Sequence, residues 1–333
     1  MSLNYNTTNL HRDLSLDVFR AFGIFCMIVG HIGFGAKIDH FIHAFHMPLF
    51  FFVSGLFINI NTKFSSFVKN KAKKILIPYI SFAIFYYLIW LFIYYSKFVW
   101  YAPLKHLLWL NSEGMPFVGA LWFLTAFFVA NIVYFLIRVF IKSSLLQFIT
   151  VLLCVLMGTL LPLVLQFRLP YTIDASMIGV GFMYFGYLFK KSNQYDNLTN
   201  LSLPILIFMS IILVLLIFFN GYVNMRMGTY SNVVLFWINA LGCIIVGINL
   251  CRFLVHKIEK LSYPILSWIS IMGRDSLIFL CVNEFVIFIL RRTIVFSNKI
   301  ILHGIYLVLT ILICYLINYI IQNSKLRIFI GKF

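Results

Sequence analysis

One stretch decides how this chain folds: LSLDVFRAFGIFCMIVGHIGFG (residues 14–35), followed by FIHAFHMPLFFFVSGLF (residues 41–57). The first part is apolar at nearly every position, yet it carries an arginine near its start and a histidine near its end. Arg20 and His31 are eleven residues apart. At 3.6 residues per turn, eleven steps return a side chain to about the same face, ~20° off. The rise per residue separates the two groups by about 16 Å, roughly half of a ~30 Å hydrocarbon core. The stretch therefore reads as a membrane-crossing helix with a cation near one surface and an imidazole midway. Ionisable groups at that depth face a protein interior or a wet cavity, because lipid does not solvate them. The second part adds His43 and His46, which are neighbours at i, i+3 on a helix. Pro48 beside them fits a first helical turn or a kink. Each histidine alone reads as well as a hydrogen-bonded structural residue; the three together, with Arg20 in register, read as one buried polar site.

The rest of the chain agrees with a membrane setting. Of 333 residues, 62% are hydrophobic and only 11% charged, whereas a soluble domain is ~45–50% apolar and ~25% charged. Repeated apolar runs near the ~20 residues that span a bilayer predict an all-α integral membrane protein. A transmembrane barrel would show short alternating segments instead. About ten spans are expected, near residues 16–35, 42–60, 75–97, 118–140, 145–165, 173–189, 201–219, 231–250, 272–290 and 300–322. They form a single domain over residues 1–333, with a cytoplasmic segment at 1–15 and a cytoplasmic tail at 323–333.

Charge supports that orientation. With both ends in the cytoplasm, eighteen lysines and arginines fall inside and eight outside, as the positive-inside rule asks. The weak spot is the last outer loop, where Arg291, Arg292 and Lys299 run against the rule. The net charge of +17 is thus explained by topology rather than by a nucleic-acid partner. The six cysteines lie in or beside apolar segments and read as inert packing, with no metal-type spacing. The N-terminus has no cleavable signal pattern, so the first apolar run serves as an anchor. The expected location is the cytoplasmic (inner) membrane, crossed many times. The outer loop 98–117 is expected to pack over the outer mouth. Oligomeric state is left open.

Several groups have the residue types for chemistry. His31 is a candidate general base, since a neutral imidazole accepts a proton near neutral pH. Arg20 suits a phosphate, and Asp17, one turn earlier, is its natural partner. The loop KFSSFVKNKAKKILIPY places Lys63, Lys69, Lys71, Lys73 and Lys74 within twelve positions. That density answers to anionic lipid as well as to a polyanionic ligand. Trp122 and Phe123 line either an apolar tunnel or an aromatic belt. Asp174, Asp275 and Glu284 lie at or inside span ends and need partners there. Glu284 is expected to pair with a histidine or an arginine. Asp174 is placed to touch a polar substrate near the outer surface. Asp275 reads as a carboxylate at a helix N-terminus, favoured by the dipole. There is no Walker A loop, G-x-S-x-G, H-E-x-x-H or glycine-rich dinucleotide loop, which removes support for ATP hydrolysis, serine hydrolysis and zinc proteolysis.

These residues carry a resemblance. Arg20 and His31 form an R-x10-H element, followed by FHMPLFFFVSG (Phe45–Gly55), LIPY (Leu76–Tyr79) and LWFL (Leu121–Leu124). Further on come D-A-S…GFMYFGYLF (Asp174–Phe189) and GRDSLIFLCVNE (Gly273–Glu284). In this order the pieces resemble the membrane acyltransferase-3 family, in particular its fucose 4-O-acetylase-like branch. The resemblance implies a membrane O-acyltransferase that takes an acyl group, usually acetyl, from cytoplasmic acyl-CoA. The acceptor it implies is a hydroxyl of a cell-surface or exopolysaccharide sugar, free or lipid-linked. It makes Arg20 and His31 essential and places the FHMP histidine at His46. The family's inner-loop arginines appear here as lysines near Lys69–Lys74, and Asn283 and Glu284 stand where many relatives carry a histidine.

The expected catalytic residues are thus His31, Arg20 and His46. The expected acetyl-CoA contacts are Arg20, Lys69, Lys71, Lys73, Lys74, Tyr79 and Trp122. The expected acceptor contacts are His43, Asp174 and Glu284, with no metal. The alternative is a transporter or flippase of lipid-linked saccharides, for which a phased arginine and histidine beside a cationic inner loop has no evident use.

Overall fold

The computed structural model describes residues 13–94, 99–109, 111–113, 116–165, 167–191, 200–259 and 262–332. The opening stretch is helix α1 (Leu14–Ile32), capped at its start by the Asp13 side chain accepting from the Ser15 N–H. Two short helices follow, α2 (Ala36–His43) and α3 (His46–Leu56). The second expected span is therefore broken. At eleven residues, α3 is only about 16 Å long, too short to cross ~30 Å of hydrocarbon. It is sheltered instead, with nearly every residue buried.

Helix α4 (Phe64–Lys71) carries part of the lysine cluster and runs through one π turn (Ala72–Leu76) into α5 (Ile77–Tyr94). A short helix α6 (Ala102–Leu108) comes next. Its Leu107 carbonyl accepts from the Tyr79 hydroxyl at 2.6 Å, so the outer-loop segment folds back against the start of α5. The long apolar helices α7 (Trp122–Phe140), α8 (Ser144–Leu165), α9 (Ile173–Lys191) and α10 (Leu203–Asn220) follow. A small antiparallel hairpin pairs β1 (Val223–Asn224) with β2 (Thr229–Tyr230). The chain ends with α11 (Val233–Glu259), α12 (Tyr263–Arg274), α13 (Ser276–Thr293) and α14 (Lys299–Gln322).

Eight helical stretches among the described residues are long and apolar enough to cross a membrane, or nine if α12 and α13 count as one span bent by 81°. The count of ten reads α2–α3 as a full span and does not register that bend. The bend falls at Asp275, which is buried. Asp275 sits at the start of α13 but does not cap it. Its carboxylate instead takes Asn318 Nδ2 at 3.3 Å and Lys332 Nζ at 3.3 Å, which ties the corner to α14 and to the C-terminal segment.

Burial divides the helices into an inner and an outer set. In the stretch containing α1, and in that containing α9, 72% of the most apolar window is buried, against 17% for α8 and α14 and 22% for α10. The outer helices thus leave apolar faces of the kind that lipid covers. The inner set is α1, α3, α7, α9 and α13. Within it α3 and α9 come backbone to backbone: a methyl group on Gly55 would meet the Met183 carbonyl, and one on Gly186 the Phe52 carbonyl. Small residues at such a contact let helices approach closely.

Candidate active site

Three cavities lie along α1. The first, of about 400 Å³, is lined by Arg20 and Ile24 of α1, by Phe50, Val53 and Ser54 of α3 with Phe57 just after it, and by Phe123, Leu124 and Phe127 of α7. Lys71, Lys74 and Arg274 complete its charge. The second, of about 130 Å³, gathers His31, His43 and His46 with Met27, Met47, Trp122, Arg226 and Glu284. The third, of about 360 Å³, is lined by His31, Glu284, Arg226, Arg291 and the apolar Phe117, Ile287 and Phe288. His46 opens onto the second cavity and Ser54 onto the first, so α3 runs antiparallel to α1. Ser276 lines the first cavity while Arg291 bonds to α1 carbonyls beyond His31, so α13 runs parallel to it.

At the first cavity, Arg20 Nη1 meets Asp17 Oδ1 at 3.0 Å. Asp17 is buried, and the arginine one turn on supplies the partner that a buried carboxylate needs. The site thus has a cationic mouth of four side chains and an apolar depth made of Ile24, Phe50, Leu124 and Phe127. Lys69 and Lys73 do not line it. Arg274 does, although its place in the sequence gave no reason to single it out.

The first and second cavities are distinct. Ile24 lines one and Met27 the other, one helical turn or about 4.5 Å apart along α1. Phe50 and Met47 of α3 divide in the same way, as do Phe123 and Trp122 of α7. Phe50 and Phe123 meet edge to face at 5.8 Å. Arg20 and His31 therefore share a helix but open into neighbouring chambers, separated by one layer of side chains, rather than into one continuous crevice.

At the second cavity the hydrogen bonds set the state of each ring. Asn283 Nδ2 donates to the Phe279 and Leu280 carbonyls at 2.8 and 2.9 Å. Its Oδ1 is then the atom that faces His31 Nδ1, at 2.6 Å, so Nδ1 carries the proton of this bond and Nε2 is the nitrogen left to face the chamber. His31 Nε2 lies 3.3 Å from Glu284 Oε1. The other carboxylate oxygen accepts from the Ala120 N–H at 2.9 Å. His46 Nδ1 donates to the Ile42 carbonyl at 2.8 Å and His43 Nδ1 to the Asp39 carbonyl at 2.9 Å, which leaves each ring a second nitrogen for the chamber. The two rings meet edge to face at 5.0 Å. The expected single site for three imidazoles is found as a chamber, and Glu284 takes the histidine partner that the sequence reading allowed it.

The hairpin roofs this chamber and is fastened on two sides. Tyr222 Oη donates to Asp39 Oδ2 at 2.8 Å, and His40 Nε2 donates to the Gly221 carbonyl at 2.7 Å. Burial, with Asp39 adding to it, pushes the Tyr222 phenol up to about 12, so this donor keeps its proton. On the other side Arg168 pairs with buried Asp174 at 2.6 Å and donates to the Met225 carbonyl at 3.3 Å. Asp174 is therefore a hidden anchor for the roof; it lines none of the three cavities. The hairpin turn presents Arg226 beside Glu284. Its guanidinium packs on Gly119, where any side chain would collide with it. Burial pulls Arg226 below its ordinary value while the Glu284 carboxylate pulls it up.

Two further expectations are placed elsewhere. Tyr79 lines a separate apolar groove of about 540 Å³ with Leu107, Phe128 and Tyr171, away from the cationic mouth. Trp122 lines the histidine chamber rather than the cationic cavity, and its carbonyl accepts from the Thr125 and Thr172 hydroxyls.

A family model described as an acyltransferase domain, of the acyltransferase-3 type, matches residues 13–319. No curated protein and no solved structure matches the chain.

Proposed function

The chain belongs to the acyltransferase-3 family of membrane acyltransferases, and from that premise we propose that it moves an acetyl group from cytoplasmic acetyl-CoA to a carbohydrate hydroxyl on the far side of the cytoplasmic membrane. The observation that carries this reading is the pairing of chambers along α1. A cationic cavity with an apolar depth adjoins a histidine chamber whose Nε2 is held ready for a proton.

Acetyl-CoA is treated as a substrate. Its phosphates suit Arg20, Lys71, Lys74 and Arg274, two of which offer a planar fork for phosphate and two a point charge. Its pantetheine arm suits the apolar depth. For the thioester to meet His31, the layer of Ile24–Met27, Phe50–Met47 and Phe123–Trp122 opens by side-chain rotation, and binding at the cationic mouth provides the free energy for it.

The chemistry that follows balances within the site. The acceptor hydroxyl gives its proton to His31 Nε2 as its oxygen attacks the thioester carbonyl. Glu284, 3.3 Å from Nε2, stabilises the imidazolium that forms. The carbon–sulfur bond then breaks, and His31 returns the proton to the departing thiolate. The products are an O-acetyl ester and CoA with a free thiol. The second chamber's volume of about 130 Å³ accommodates an acetyl group far better than a long acyl chain.

The reading is tested by comparing surface polysaccharide from cells with and without the chain by proton NMR. O-acetyl signals that disappear with the chain, and stay absent when His31→Ala is supplied, are the expected result. Unchanged O-acetyl content together with altered export of the saccharide would move the assignment to transport.

A further inference from the structure

The third cavity holds charge that acyl transfer to a neutral sugar does not call for. Arg226 and Arg291 reach it from different elements, the hairpin and the end of α13. Glu284 lines it too, facing His31 and accepting from the Ala120 N–H while its charge also acts on Arg226. Both cations are fixed in place. Arg291 Nη2 donates to the His31 and Ile32 carbonyls, each at 3.0 Å, and Arg226 rides on a turn fastened through Arg168 and Tyr222. Arg291 also belongs to the outer loop that runs against the positive-inside rule. A cation kept where topology disfavours it calls for another reason. The remaining wall is apolar and aromatic, as the face of a sugar ring requires, and it includes Phe117, held at a strained φ of 67° against Phe288 at 4.7 Å. Strain of this kind is retained where a site needs it.

Building on the acetyl-transfer reading, we infer that the acceptor is an acidic sugar, and that Arg226, with Arg291 beside it, holds its anionic group so that a neighbouring hydroxyl faces His31. Arg226 is the specificity-determining residue. It borders both the third cavity and the histidine chamber, so an anion bound to it lies within one sugar ring of Nε2. The anion is a carboxylate or a phosphate, both of which a guanidinium binds through paired hydrogen bonds.

The test uses the full chain in nanodiscs and measures binding of methyl β-glucuronoside, glucose 6-phosphate and methyl β-glucoside by calorimetry. Acetyl-CoA binding is measured on the same preparation. At least one of the anionic sugars is expected to bind about 10- to 100-fold more tightly than the glucoside, the worth of a hydrogen bond to a charged group. Which of the two wins tells carboxylate from phosphate. Arg226→Gln should erase the preference while acetyl-CoA still binds, and Arg226→Lys should restore part of it. Equal binding of all three sugars, no binding of any, or a preference that survives Arg226→Gln would overturn the inference. Loss of acetyl-CoA binding by the wild-type chain would instead strike the acetyl-transfer reading, and the sugar preference would be judged separately.

Discussion

His31 is held from both sides, and the two contacts do different things. Asn283 holds the proton on Nδ1, and Glu284 faces Nε2, the base of the proposed reaction. Replacing His31 by Ala should lower the transfer rate by about 10²- to 10⁴-fold, the usual worth of a positioned base, with acetyl-CoA affinity unchanged in a binding assay. Asn283→Leu removes the orienting bond along with the two that Asn283 Nδ2 donates within its own helix, and should lower kcat by about tenfold, equivalent to ~1.4 kcal/mol. A matching rise in the KM for acetyl-CoA would show that Asn283 acts on binding instead. Tyr79→Phe should leave the KM for acetyl-CoA at the wild-type value, because its hydroxyl serves the Leu107 carbonyl. At this scale much was legible in the sequence. Arg20 and His31 were found by helical phase, and the other imidazoles and Glu284 by the cost of polar groups in lipid. Arg226 and Arg274 were not found, because nothing local distinguishes an arginine that folds back over a site from one that marks a loop. Asp174 was assigned to substrate because it opens a short span near the outer surface; that Arg168 folds back to pair with it is visible only in the structure.

At the scale of elements, the helices that the sequence located best are those whose apolar runs are long and unbroken, such as α8 and α14. Hydropathy is insensitive to breaks inside a run. The sequence 42–60 is mostly apolar, yet it contains the short α3, sheltered by its neighbours. The corner at Asp275 likewise falls within a stretch apolar enough to count as a span. Its geometry comes from bonds to Asn318 and Lys332, which lie 43 and 57 residues further on. Helix α3 lines two of the chambers and meets α9 backbone to backbone, so this contact should tolerate no added bulk. Gly55→Ala or Gly186→Ala should destabilise the protein by about 1–3 kcal/mol, read as a lower unfolding temperature in detergent. An unchanged temperature for both would mean that these helices separate more easily than their packing implies.

For the whole molecule, the central idea is a division of labour along one helix. The Arg20 end of α1 gathers cations, in the proposed reading for a polyanionic donor, and the His31 end gathers imidazoles, a carboxylate and two guanidiniums, in that reading for an acceptor. One layer of apolar side chains lies between the two ends. The direct measurement is steady-state acetyl transfer from labelled acetyl-CoA by the wild-type chain, Arg20→Gln and His31→Gln, each reconstituted in vesicles. Arg20→Gln should raise the KM for acetyl-CoA with kcat largely retained, and His31→Gln should abolish turnover with donor affinity retained. Wild-type turnover in His31→Gln, or the same loss of donor affinity in both variants, would contradict it.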